Sequence, residues 1–219
     1  MRTARLAVCL VLALCWAGPS FGQAQKSLNK CQRTVAKEGS KYVRGLLKAY
    51  GACLDAASKA VIESGGTAAD AAGACQGKLK AIVNSGNASK TLAAKFAAKV
   101  GKACDPNVNP ALQHTVEDVL GTSGSGEDIE AQNLNVWCQN FGGDPTIDNL
   151  AEWNACIVTA ATCQARQLVG TLYPRALEWI AALQGVLTGD ALTALDDLDN
   201  GLDSNNDGQL DIACGPANG

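Results

Sequence analysis

Apolar or cysteine side chains recur at Cys31, Val35, Tyr42, Leu46, Tyr50, Cys53, Ala57 and Val61, in steps of three, four and seven that keep to one face of an α-helix. Strict alternation is absent, which argues against a strand. Ser64-Gly65-Gly66-Thr67 interrupts the pattern. A second run follows through Ala71, Cys75, Leu79 and Ile82, then resumes after Gly86 as Leu92, Phe96, Val100 and Cys104. The pattern predicts a helix, a turn and a returning helix with an interruption.

The cysteines fix the register of that hairpin. Residues 31 and 53 stand 22 apart, roughly 33 Å of helical rise, too far for a disulfide. Each must reach the returning arm. Antiparallel arms place Cys53 opposite Cys75 and Cys31 opposite Cys104, because the paired numbers add to 128 and 135, nearly constant. The seven extra residues match Asn84 to Lys90, expected as a bulge or loop.

Beyond Cys104 the pattern stays helical. Asn109-Pro110 reads as an N-cap with proline at the first helical position, predicting a short helix from Pro110 to Leu120. Gly121 to Gly126 reads as a Gly/Ser linker. Asp144-Pro145 reads as a second cap, opening a helix that carries Trp153, Cys156, Ile157, Ala160, Cys163 and Leu168. Pro174 restarts a helix through Trp179, Ile180 and Leu183, and a short one is expected near 189–199. Trp137, Trp153 and Trp179 are expected in the core rather than on a sugar-stacking platform.

The first residues change the compartment. Arg2 and Arg5 precede an apolar run from Leu6 to Ala17 and then the small-residue stretch Gly18 to Gly22, the pattern of a secretory signal peptide. The run is short for a membrane span, and no other stretch is a candidate. Secreted, periplasmic or extracellular localisation follows. Without Cys9 and Cys15, eight cysteines remain, and four disulfides are the default in an exported chain. Cys156 and Cys163 stand roughly 10 Å apart along one helix face and take different partners, with Cys138 and Cys214 available. No C-x-x-C pair suggests zinc or redox chemistry, and the single histidine, His114, is expected as a surface or core residue.

Charge divides the chain. Residues 23–104 hold 14 lysines and arginines against 4 acids, a net of +10; residues 105–219 hold 2 against 17, a net of −15. The expected organisation is a signal peptide (1–22), a basic helical hairpin (23–104), a connecting helix and linker (105–126) and an acidic helical lobe (127–219). The halves hold different partners or dock on each other through charge. Lys30, Lys37, Lys41, Arg44, Lys48, Lys78, Lys80, Lys90, Lys95, Lys99 and Lys102 lie on the outer faces, and of these Lys37, Lys41, Arg44, Lys48, Lys95 and Lys99 are the leading candidates to bind an anionic surface, whether lipid headgroup, polysaccharide or nucleic acid. Tyr42, Tyr50 and Phe96 sit in the apolar stripe, so base stacking and sequence-specific nucleic-acid recognition are not indicated.

The stretch KCQRTVAKEGSKYVRGLLKAYGACLDAA, Lys30 to Ala57, and less fully TLYPRALEWI, Thr171 to Ile180, resemble cysteine-rich exported proteins of delta-type and myxobacterial bacteria, most of them uncharacterised. The resemblance implies an exported, helical, disulfide-linked protein and implies no activity.

DSNNDGQLD, Asp203 to Asp211, fits a calcium loop, whose ligands fall at positions 1, 3, 5, 7 and 9 around a glycine at 6. Asp203, Asn205, Asp207, Gln209 through its carbonyl and Asp211 take those positions, and Gly208 the turn. The loop is similar to those of dockerins, thrombospondin type-3 repeats and EF-hands. It departs from the EF-hand at position 12, which is Cys214, so Asp196, Asp197 or Asp199 must complete the oxygen shell. A single loop does not imply dockerin-type partnering. The expectation is an all-α, disulfide-stapled, calcium-stabilised structural or interaction protein without catalysis; a calcium-dependent hydrolase is disfavoured, since no carboxylate pair stands at a spacing that demands acid–base work.

Overall fold

A computed structural model describes residues 3–120, 135–140 and 147–203, with the backbone alone for 3–21. The protein is all-α, with no strand among the described residues. Helix α1 spans Thr3–Ser58 and runs into a π-helical turn, Lys59–Glu63. That wider turn breaks the 3.6-residue period, and Val61, expected on the inward stripe, is 38% exposed. Gly65 takes φ +60, which a residue with a Cβ rarely adopts, and Gly66 N–H donates to the Ala60 carbonyl at 2.8 Å to close the turn.

Helices α2 (Ala68–Leu79) and α3 (Leu92–Cys104) return along α1. Asp70 opens α2 by accepting from the Thr67 N–H and hydroxyl at 2.8 and 2.9 Å. Between α2 and α3 a short 3-10 turn, Ser85–Lys90, takes up the extra residues, and Leu92 N–H donates to the Ala81 carbonyl across it. The loop lets both disulfides close: Cys53 meets Cys75 at a Cα separation of 4.2 Å and Cys31 meets Cys104 at 4.9 Å.

Helix α4 is Val116–Leu120, not the longer helix expected from Pro110. Thr115 and Asp118 form the cap: Thr115 N–H donates to Asp118 Oδ2 at 2.7 Å, and Asp118 N–H to Thr115 Oγ1 at 3.2 Å. Asn109 spends its side chain on the Lys102 carbonyl and the Ala111 N–H instead. A short helix, α5, covers 135–139. Helix α6, Leu150–Leu172, likewise starts after the expected Asp144-Pro145, because Asn149 Oδ1 accepts from both Ala151 and Glu152 N–H at 3.0 Å. Helices α7 (Ala176–Gln184) and α8 (Gly189–Leu202) follow. Cys138 bonds Cys156 of α6, with Cα atoms 5.5 Å apart; Cys163 is also disulfide-bonded, and Cys214 lies outside the described residues.

One core joins the basic and acidic halves. Leu46, Tyr50 and Leu54 of α1 and Val100 of α3 are fully buried in one cluster with Val169 of α6, Ile180 and Leu183 of α7, and Leu195 and Leu198 of α8. Each such side chain contributes roughly 1.5–3 kcal/mol of burial. Lys41–Glu38 is an ion pair within the basic half and Arg175–Glu178 one within the acidic half. Polar ties across the seam are few and specific. Thr162 gives its hydroxyl proton to the Val158 carbonyl, so Tyr42 Oη donates to Thr162 Oγ1 at 2.7 Å. Ser85 N–H and Oγ donate to Asp190 Oδ2 at 2.8 and 3.1 Å. Tyr173 lies over Gly51, where a Cβ would come within 2.6 Å of the phenol oxygen, and burial, together with the Asp55 carboxylate beside it, holds the phenol above its ordinary range.

Helix α6 turns different faces inward along its length. Cys156 and Ala160 are buried in its first half, Ala165 and Val169 in its second, where Arg166 packs on Gly201 of α8. Leu168, expected inward, is 44% exposed for that reason.

Candidate functional site

On α1 the cations form a row. Lys26, Lys30, Arg33, Lys37, Lys41, Arg44 and Lys48 follow one another in steps of four and three, and all are exposed. At 100° per residue they fall within one narrow stripe, and Cys31, Tyr42, Leu46 and Cys53 fall on the opposite, buried side. The row extends roughly 33 Å along the axis. Lys26 and Arg33 join Lys30, Lys37, Lys41, Arg44 and Lys48, the α1 cations expected on this surface, and their spacing is the signal that finds them.

Two shallow concavities follow the row. The first, about 350 Å³, is lined by Lys26, Asn29, Lys30, Arg33, Thr34 and Lys37. The second, about 230 Å³, lies between α1 and α3, where Lys41 on one wall faces Lys95 and Lys99 on the other above Tyr42, Leu92 and Phe96. Glu38 also lines it. This is the lone acid between residues 23 and 54, and its side chain is only 15% exposed. The Lys41 ammonium, bonded to it at 2.7 Å, holds the Glu38 carboxyl below the usual carboxylate range, and Lys37 and Lys99 add to the effect. Glu38 therefore stays ionised and fixes Lys41 at the groove wall.

Among the acids of α8, Asp196 and Asp199 are joined through Gln184, whose Nε2 donates to Asp196 Oδ1 at 3.1 Å and to Asp199 Oδ2 at 2.9 Å. Asp197 is exposed. Asp203, the first expected calcium ligand, sits buried at the end of α8 with its N–H donating to the Asp199 carbonyl at 2.8 Å. Asn205, Asp207, Gln209 and Asp211 lie outside the described residues. No group of three or more His, Cys, Asp and Glu side chains able to hold a metal occurs among the described residues.

His114 belongs to the core. It is buried, with Nε2 3.0 Å from the Cys104 carbonyl and Nδ1 2.8 Å from Ser27 Oγ. A carbonyl only accepts, so Nε2 carries a proton, and both ring nitrogens are occupied. Tyr50 is buried beside Arg166. Burial pushes its phenol up to about 12, opposed by the Arg166 guanidinium, yet neither Tyr50 Oη nor Arg166 Nε makes a hydrogen bond of good geometry. Trp179 is buried and Trp153 half-buried, but Trp137 is 39% exposed. Trp137 lies on the rim of an apolar groove of about 480 Å³ between α1 and α6, so it does not join the other two. No helix among the described residues is long and apolar enough to cross a membrane. No family model, curated protein or solved structure matches the chain.

Proposed function

We propose that the chain is an exported, non-catalytic interaction protein that binds an anionic partner through the α1–α3 face and is stabilised by calcium at its C-terminal loop. The observation that carries the first part is the outward row of seven cations backed by a fully buried seam on the same helix. The occupied ring of His114 supports the non-catalytic reading. Support for calcium is the alternation of oxygen-bearing residues at Asp203, Asn205, Asp207, Gln209 and Asp211 around Gly208. Export is supported by the leader pattern and by the disulfides.

Calorimetric titration of the chain with calcium is expected to give a dissociation constant of roughly 10⁻⁴ to 10⁻³ M, the range of extracellular modules. Asp207→Ala abolishes the heat. Retention on immobilised heparin that falls steeply with salt is expected of the cationic face. A flat calcium titration removes the metal from the proposal, and a chain that passes heparin unretained at low salt removes the surface.

A further inference from the structure

The cationic face has a shape that selects among anions. Its charges lie in a line on α1 and on both walls of the α1–α3 groove, with Lys41 facing Lys95 and Lys99 across it. A chain lying in that groove reaches both walls, whereas a flat bilayer meets only the ridges. The face also lacks the side chains other partners need. Of the exposed large apolar residues, Trp137 comes beside the row at Arg44, where both line the α1–α6 groove, and none lines the α1–α3 groove or the stretch from Lys26 to Lys37, so that part of the face offers no side chain to insert into a membrane interface or to anchor a protein hot spot. Tyr42 and Phe96 line the groove but are buried, leaving no ring to stack on a base.

We infer that the face binds a linear acidic polysaccharide, one bearing a carboxylate or sulfate on successive sugars, laid along α1 from Lys26 to Lys48 and held in the groove by Lys41, Lys95 and Lys99. This deepens, and rests on, the assignment of that face as the interaction surface. The α1 cations recur about every 5 Å, one per helical turn or slightly less, a repeat of the order of one extended sugar unit. A polymer can then pair charge after charge without bending. Contacts of this kind are individually weak and act by number, so affinity should rise with polymer length until the row is spanned and then level off.

The test uses the full chain, exported and purified with calcium present. Its binding to oligogalacturonates of increasing length is measured beside phosphatidylglycerol vesicles and a single-stranded oligonucleotide, at low and physiological salt. The triple variant Lys37→Gln, Lys95→Gln, Lys99→Gln is expected to bind the longer oligogalacturonates about tenfold more weakly. The control triple Lys59→Gln, Lys78→Gln, Lys80→Gln removes as many exposed cations from outside the Lys26–Lys48 span and the groove and should change binding less than about twofold. Tighter binding to vesicles or oligonucleotide than to any oligogalacturonate overturns the polysaccharide class while leaving the face as an interaction surface. Absence of binding to all three probes, or equal losses in the two triples, overturns both. Affinity independent of polymer length overturns the lengthwise seating.

Discussion

In the basic half charge faces outward, and in the acidic half much of it is turned to internal use. Lys26, Lys30, Arg33, Lys37, Arg44 and Lys48 all stand exposed along α1. By contrast Asp118 caps α4, Asp190 holds Ser85, Asp196 and Asp199 share Gln184, and Glu152 accepts from the Asp148 N–H at 2.8 Å. The difference follows from donor and acceptor chemistry. A carboxylate only accepts, and helix starts offer unpaired N–H groups that need acceptors. A lysine only donates, on a long stem that keeps its charge in water. Two halves with nets of +10 and −15 can therefore share one core without cancelling each other, since the acids engaged within the fold are drawn away from the cationic face.

The largest way to break this arrangement is to open the basic half covalently. Replacing Cys31 and Cys104 by serine reopens a separation of 73 residues, and replacing Cys53 and Cys75 one of 22. Chain entropy sets the losses at about 4 and about 3 kcal/mol. Denaturant unfolding should rank the two pairs in that order; midpoints equal to wild type would mean the core holds the hairpin unaided.

Tyr50 probes the shared core. Its phenol rises from 10.0 to about 12 on burial, so the folded state keeps a proton that the unfolded state loses first. The stability from this group is complete below pH 10 and disappears as pH climbs toward 12, a loss of roughly 2–3 kcal/mol. Tyr50→Phe should be nearly neutral at pH 7, because the hydroxyl lacks a good hydrogen bond, and should flatten the alkaline fall. An unchanged fall in the variant places the titrating group elsewhere.

Smaller effects sharpen the contrast between the two kinds of charge. Asp190→Ala leaves the Ser85 N–H without its acceptor and is expected to cost about 1 kcal/mol. Lys48→Ala is expected to change stability by less than about 0.5 kcal/mol. A lysine effect as large as the aspartate one would erase the distinction. Smallest of all is the response to salt. Small-angle scattering should give the same radius of gyration at low and high salt, because one apolar core joins the halves; expansion with salt would point to docking by charge.

The two disulfides of the basic half were legible because two constraints agreed, the apolar period of the helices and the spacing of Cys31, Cys53, Cys75 and Cys104. The helix starts at Val116 and Leu150 were less so. Several Asn, Asp and Thr residues competed as caps, and Thr115 and Asn149, which stand next to buried His114 and two residues after buried Ile147, are the ones that bond the first turns. Val61 and Leu168 fell on the wrong side because a π-helical turn and a change of packing partner do not alter the local apolar pattern. Half of the cationic site was visible as composition. Its geometry was not, since only the fold sets Lys95 and Lys99 across from Lys41.

The most direct test of the account is lysine footprinting of the full chain, with acylation at each site read by mass spectrometry in the presence and absence of a long oligogalacturonate. The account predicts protection concentrated at Lys26, Lys30, Lys37, Lys41, Lys48, Lys95 and Lys99, with Lys59, Lys78 and Lys80 reacting as before. Protection spread evenly over all lysines, or confined to Lys59, Lys78 and Lys80, would contradict it.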